Sequence, residues 1–145
     1  GNHSSTHPNM STLSKDQMIK EIMDTDKKIQ DIVGTKPTLF RPPFGDYNDL
    51  LIQTMRELNY NTIQWDIDSL DWKELGVDPV IDIVVKNTIS GSIILFHNNA
   101  KYIKEYLPKV IQRLQEKGFE IVPISELIYK DNFRMDNNGR QIKLE

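Results

Sequence analysis

The chain has no cysteine among its 145 residues. This absence excludes a disulfide framework and a metal site built on thiolates. The net charge is only −3, and lysine and arginine are spread along the chain, which argues against a dedicated nucleic-acid-binding protein. The longest apolar run, Ile93 to Phe96, is too short to cross a membrane. The remaining composition, 38% hydrophobic and 27% charged, is typical of one globular domain.

Histidine is also scarce, with only His3, His7 and His97 in the sequence. His3 and His7 are four residues apart, and on a helical turn this spacing would place both rings on one face, within reach of one metal ion. The alternative is a pair of solvent-exposed histidines, and spacing alone leaves both interpretations open. A catalytic zinc site needs three protein ligands and an open position for water. Without cysteine or another nearby histidine, we expect a carboxylate as the third ligand.

Strand-like apolar runs alternate with helical patterns through most of the chain. A capping box at Ser14 and Gln17 opens the first helix, and Gly34 ends it. Repeated strand-helix units predict parallel strands with crossover helices, in an open doubly wound sheet or a (β/α) barrel. The polar residues 130–145 are expected to form a tail or a peripheral hairpin. The expected elements are helices over residues 14–33, 50–58, 78–84, 102–115 and 125–129, and strands over residues 38–41, 61–67, 92–96 and 119–122.

Each unusual polar cluster comes directly after a predicted strand or at the start of the chain. The clusters cover residues 3–7, 41–48, 66–72 and 97–98. Both candidate architectures place their chemistry at the carboxyl ends of the strands. We therefore expect these clusters to lie at one rim of the fold.

The cluster from Arg41 to Asn48 contains two prolines that stiffen the loop, and Gly45 permits a close backbone approach. Such a loop can hold backbone N–H groups toward a developing oxyanion. It can also be a tight connection in which Asp46 or Asn48 caps the next helix. The two interpretations are compatible.

The run from Trp65 to Trp72 holds three acids and two indoles. Strand alternation predicts that Trp65 and Ile67 are buried, with Asp66 and Asp68 on the opposite face. Carboxylates at a strand end can bind metal, orient a histidine or cap a loop. His97, after an apolar strand, is either a core histidine or a general acid.

Four motifs follow one another along the chain: His3 to His7, Arg41 to Gly45, Asp71-Trp72, and Leu95 to His97. Together they resemble the polysaccharide deacetylases of the NodB-homology type, carbohydrate esterase family four. The resemblance implies an α/β fold, the C-terminal part of a distorted (β/α) barrel, with residues 1–129 as a catalytic domain lacking its N-terminal part. An Asp-Asp motif of that family, which supplies the base and the third metal ligand, is expected on an N-terminal segment of the same protein before Gly1.

The resemblance also implies roles for matching residues. His3 and His7 would bind a divalent metal, zinc in the first place, with cobalt, nickel or manganese as alternatives. Asp71 would orient His97, with Asp68 as a competing choice, and His97 would protonate the leaving amine. The other implied roles are Arg41 holding the base carboxylate, the Phe44 N–H stabilising the oxyanion, and Trp72 and Leu95 walling the acetyl pocket.

The implied activity is metal-dependent removal of N-acetyl groups from a peptidoglycan- or chitin-like polysaccharide outside the cell or at its envelope, with spore association as a further expectation. Two alternatives stay open: an O-acetyl esterase of the xylan type, and a catalytically incomplete carbohydrate-binding module.

Overall fold

The computed structural model describes residues 1–144, and no helix among them is long and apolar enough to span a membrane. The chain divides into two compact units: unit one holds residues 1–64 and the chain from Lys130 onward, and unit two holds residues 65–129. The elements in chain order are α1 (Lys15–Val33), β1 (Leu39–Phe40), α2 (Asp49–Glu57), β2 (Asn61–Thr62), β3 (Ile67–Asp68), α3 (Val77–Asn87), β4 (Ile94–Leu95), α4 (Ile103–Glu116), α5 (Ile124–Leu127), β5 (Phe133–Met135) and β6 (Gln141–Lys143).

The first helix has the boundaries that its sequence predicts. The Ser14 side chain accepts a hydrogen bond from the Gln17 N–H, and the Gln17 side chain accepts one from the Ser14 N–H. This reciprocal pair satisfies two backbone donors that the helix start leaves without partners. At the other end Gly34 has a φ of 81°, which stops the helix at little steric cost because glycine has no Cβ.

Unit one is built on the parallel pair of β1 and β2, with Leu39 opposite Asn61 and Phe40 opposite Thr62. A parallel bridge between Asn2 and Phe40 adds the start of the chain to this pair. The amphipathic faces of α1 and α2 cover a common apolar core, because their apolar residues recur at helical spacing. The buried residues of this core are Met10, Met18, Ile22, Phe40, Leu51, Met55 and Tyr60.

Unit two repeats this arrangement with β3 parallel to β4, where Ile67 lies opposite Ile94 and Asp68 opposite Leu95. The helices α3 and α4 pack against each other and contribute most of the core. Apolar residues spaced three and four apart along both helices produce that contact. The buried residues are Ile67, Val80, Ile81, Val84, Tyr106, Val110 and Leu114.

Three local predictions differ from the structure. The strand expected over residues 61–67 is two short strands, β2 in unit one and β3 in unit two. Trp65 lies in the gap between them and is only half-buried. The strand expected over residues 119–122 is absent from the described part of the chain, because Phe119 packs on the unit-two core without a ladder partner. Of the alternatives for residues 130–145, the structure has the hairpin, an antiparallel pair of β5 and β6.

Candidate active site

His3 follows directly after the bridge between Asn2 and Phe40, so the backbone places it at the carboxyl end of β1. Its Nδ1 lies 2.5 Å from the carbonyl oxygen of Arg41. A carbonyl can only accept a hydrogen bond, so Nδ1 carries the proton in this contact and Nε2 carries the lone pair. Metal-binding histidines are commonly oriented in this way, through the ring nitrogen that does not bind the metal.

The segment from Ser4 to His7 is a loop, and the predicted helical turn is wrong. Ser4 has a φ of 66° and His7 a φ of 59°, which are left-handed values that a right-handed helix excludes. The loop still brings the two imidazoles together: the ring centroids of His3 and His7 are 4.9 Å apart, at an interplanar angle of 79°. The proximity that helical spacing predicted is therefore present, and a different backbone produces it.

Glu21 on α1 holds this loop from the side. Its Oε2 accepts hydrogen bonds from the N–H groups of Ser5 and Thr6, and its Oε1 accepts one from the Thr6 hydroxyl, each at 2.8 Å. Burial raises the pKa of Glu21, but these hydrogen bonds outweigh burial and lower the pKa below its ordinary value. Each left-handed non-glycine residue costs roughly 1–3 kcal/mol. The three hydrogen bonds to Glu21 therefore help to hold a loop that contains two such residues.

A buried polar network holds Asn2, the residue before His3. The Asn2 amide donates to Asp26 at 2.8 Å, and the hydroxyl of Tyr60 donates to the same carboxylate oxygen. Asp26 is 3% exposed and forms an ion pair with Lys36 at 3.3 Å, which compensates its buried charge. The network matters to the site because the other side of the Asn2 amide accepts a hydrogen bond from the N–H of Ser4 at 2.9 Å.

The loop after β1 forms a short 3-10 turn over Pro43–Gly45, and Phe44 within it has a φ of 59°. The Phe44 ring is 65% exposed and lies edge-on to the His7 ring, with centroids 4.6 Å apart. Arg41 at the start of the loop is half-buried, and burial lowers the pKa of its guanidinium from the ordinary value. Phe44, His7 and the carbonyl of Arg41 thus belong to one local cluster in unit one.

The two polar candidates for capping in this loop have separate partners. The Asn48 side chain accepts from the Leu51 N–H at 2.9 Å and caps α2. Asp46 instead accepts from the Ser11 N–H at 2.8 Å. The loop therefore caps α2 through Asn48 and is held to the backbone of Ser11 through Asp46.

In unit two, Asp71 and His97 form a close pair. Asp71 Oδ1 lies 2.7 Å from His97 Nδ1, and Asp71 Oδ2 accepts from the His97 N–H at 2.8 Å and from the Tyr106 hydroxyl at 2.9 Å. The Asp71 side chain is fully buried, whereas that of His97 is 36% exposed. Because Nδ1 faces a carboxylate, it carries a proton, and Nε2 is the nitrogen left to exchange a proton with a substrate.

The electrostatics of this pair favour a charged Asp71. Burial raises the pKa of Asp71, but hydrogen bonds from His97 and Tyr106 outweigh burial and hold the pKa below the ordinary value of 3.8. Burial and the adjacent carboxylate raise the pKa of Tyr106 well above its usual range. Tyr106 therefore stays a hydrogen-bond donor, and Asp71 stays an acceptor that fixes the imidazole.

Asp68, the competing partner for His97, has other contacts. Its oxygens accept from the Leu70 N–H at 2.9 Å and from the Trp72 indole N–H at 3.3 Å. The indole of Trp72 is 55% exposed, whereas Leu95 is buried in β4. The structure therefore pairs His97 with Asp71, while Asp68 holds the loop that presents Trp72.

The metal donors of unit one fit part of a divalent metal site. His3 has its Nδ1 bound to the Arg41 carbonyl, and its ring lies beside that of His7, so two imidazoles of the type that zinc binds are adjacent. Among residues 1–144 there is no group of three histidine, aspartate or glutamate side chains that could hold a metal ion. The described residues thus bring together two donors of this type, where a catalytic zinc site requires three protein ligands.

The comparisons with known proteins decide the family. The family model of polysaccharide deacetylase matches residues 1–63. A family 4 carbohydrate esterase from Streptomyces lividans, solved in complex with acetate, is 31% identical with a TM-score of 0.81, and the match covers 100% of this chain and 70% of that one. The chain belongs to the polysaccharide deacetylase family, carbohydrate esterase family 4. The predicted fold, part of a (β/α) barrel of this type, is confirmed.

Two further relatives are a deacetylase and a pseudoenzyme. A peptidoglycan-N-acetylglucosamine deacetylase of Bacillus cereus is 35% identical over 133 residues, which are 88% of this chain and 62% of that protein. A family 4 pseudoenzyme from Bacillus anthracis has a TM-score of 0.85 at 33% identity, over 90% of this chain and 46% of that one. The chain spans 27% to 62% of the length of the first curated relatives that it matches.

Three residues that support the candidate site carry little or no signal in the sequence. Tyr106 recurs with Val110 and Leu114 at helical spacing and so indicates only a core position. Glu21 lies on a helix rich in charged residues, where a carboxylate usually faces solvent. Asn2 carried no pattern of its own, although its position beside His3 was a weak signal.

Proposed function

We propose that this chain is part of a metal-dependent deacetylase that removes N-acetyl groups from peptidoglycan at the cell envelope. The observation that carries the proposal is the pair of Asp71 and His97, in which a buried carboxylate fixes a partly exposed imidazole. Curated relatives bear the names of peptidoglycan deacetylases that act on N-acetylglucosamine or N-acetylmuramic acid, which supports this polymer as the substrate.

His3 and His7 would hold the metal through neutral imidazole nitrogens, and an aspartate on a segment before Gly1 would be the third ligand. Zinc, bound there, would supply a Lewis acid that polarises the acetamide carbonyl and acidifies a water molecule. A second aspartate of that segment would be the base, and Arg41 would hold it in place. The Phe44 N–H would stabilise the negative charge on the carbonyl oxygen.

His97 would complete the hydrolysis from Nε2. As water oxygen bonds to the acetyl carbon and the C–N bond breaks, the leaving nitrogen needs a proton, which a protonated imidazole can donate. Asp71 stabilises the charged ring and keeps its Nδ1 proton, as the carboxylate of a hydrolytic triad does. Trp72 would pack on the sugar ring, and Leu95 would line the acetyl pocket.

The experiment measures acetate release from N-acetylated peptidoglycan by the full-length protein. Replacing His97 with alanine is expected to lower turnover by about 10²-fold or more, the usual contribution of a general acid. Asn99→Ala, an exposed change two residues away, is the control and should keep turnover. Near-wild-type turnover in the His97 variant would remove the general-acid assignment.

An O-acetyl esterase is the nearest alternative, and the Streptomyces lividans relative, named a carbohydrate esterase, favours it. The ester and amide reactions share the metal and the oxyanion and differ in the leaving group. Parallel assays on acetylated xylan and on peptidoglycan separate them, and we expect the faster rate on peptidoglycan.

A non-catalytic carbohydrate-binding module is a second candidate from a different class. The pseudoenzyme relative favours it, as does the lack of a third ligand among residues 1–144. Zinc-loaded full-length protein that binds peptidoglycan fragments but releases no acetate would establish this function instead.

A further inference from the structure

Glu21 contacts the two residues at the middle of the loop between His3 and His7. Its carboxylate accepts three hydrogen bonds at 2.8 Å, two from the backbone N–H groups of Ser5 and Thr6 and one from the Thr6 hydroxyl. We propose that Glu21 is a positioning residue, which holds the His3 and His7 rings in the arrangement that binds the metal. The inference rests on the proposed metal site of unit one.

The backbone of the loop explains why such a residue is needed. Ser4 and His7 both have left-handed φ values, and the loop has no helix or strand ladder to fix them. Two further bonds on the loop come from short polar side chains near its ends: Asn2 accepts from the Ser4 N–H, and Ser4 accepts from the His7 N–H. From the separate, regular element α1, Glu21 binds the backbone of the loop centre, and Lys28 adds one longer contact from its ammonium to the Ser5 hydroxyl at 3.5 Å. Glu21 therefore ties the backbone geometry of the loop to α1.

The exposed acids elsewhere on α1 have different contacts. Asp24 and Asp31 pair with lysines four residues before them on the same helix, at 2.5 and 2.7 Å. Such exposed pairs contribute little to folding and do not touch the loop. Asp31 is therefore a matched control for removing one negative charge from α1 without changing the loop.

The test measures zinc affinity of the full-length protein by competition with a chelator, together with the absorption spectrum of the cobalt form and the melting temperature. Glu21→Ala removes all three hydrogen bonds, and loss of groups that orient metal ligands typically weakens binding 10–100-fold. Glu21→Gln keeps an acceptor oxygen for the two N–H groups but loses the charge, so we expect a loss of about threefold, in line with its weaker hydrogen bonds. Asp31→Ala should bind zinc as the wild type does.

A shifted cobalt spectrum in Glu21→Ala, with melting close to that of the wild type, would separate positioning from a general loss of fold. If Glu21→Ala fails to fold, the affinity of Glu21→Gln decides, and a wild-type value would overturn the inference. Zinc binding that depends on His3 and His7 but is unchanged in the folded Glu21 variants would also overturn it. Zinc binding that is unchanged when His3 and His7 are replaced would instead refute the proposed metal site.

Discussion

Replacing Asp71 with asparagine tests how unit two prepares His97. The carboxylate accepts from His97 Nδ1 on one oxygen and from the His97 N–H and the Tyr106 hydroxyl on the other. Asparagine has the same shape but only one acceptor oxygen, so its NH₂ group must face one of these donors. If it faces the imidazole, the ring must move its proton to Nε2 and lose the tautomer that the mechanism requires.

The magnitude follows from these bonds. Loss of one hydrogen bond to a charged, buried group should lower the free energy of unfolding by about 1.5–3 kcal/mol. Loss of an oriented general acid should lower turnover by roughly 10²- to 10⁴-fold. Tyr106→Phe is the control, because it removes one of the three donors without touching the imidazole, and we expect less than about a tenfold fall in turnover from it.

The assay is the rate of acetate release from peptidoglycan at saturating zinc, with urea unfolding in parallel. A folded Asp71→Asn protein whose turnover is within about threefold of the wild type would contradict this role of Asp71, since that difference corresponds to under about 1 kcal/mol of the activation barrier. An equal loss in Asp71→Asn and Tyr106→Phe would also contradict it.

Two other predictions concern stability. The pKa of Asp71 is lowered in the folded chain, so its carboxylate stabilises the fold at pH values above the ordinary pKa of 3.8, and this contribution is lost as the pH falls through the lower pKa of the folded chain. The difference in the free energy of unfolding between wild type and Asp71→Asn, measured by urea unfolding, should therefore shrink in acid. A difference that grows in acid would contradict the direction of the pKa shift. Asn48→Ala removes the α2 cap and should cost about 1 kcal/mol by the same measurement, whereas Asn48→Gly should cost only a few tenths.

Local signals in the sequence predicted much of the fold. The capping box of Ser14 and the stop at Gly34 depend on neighbouring residues only, so the first helix was predicted closely. The strands were harder, because a strand is defined by its partner. Residues 61–67 have a continuous β-like pattern, yet they divide between ladders with β1 and β4, and the residues between the ladders belong to neither.

The candidate site was likewise predicted only in part. The sequence predicted that His3 and His7 would be close, although the loop conformation was wrong, because left-handed values at Ser4 and His7 have no sequence signature without glycine. It left Asp68 and Asp71 as alternatives for the partner of His97, since both follow β3 closely. Which acid points at the imidazole depends on backbone turns that only the folded chain specifies.

Metal dependence of deacetylation is the most direct test of the proposed function. The measurement is acetate release from N-acetylated peptidoglycan by the full-length protein, first stripped of metal and then reloaded with zinc, beside His7→Ala treated in the same way. We expect that stripping abolishes turnover, that zinc restores it in the wild type, and that the same zinc concentration fails to restore it in the variant. Full turnover without metal, or equal recovery in His7→Ala, would contradict this expectation.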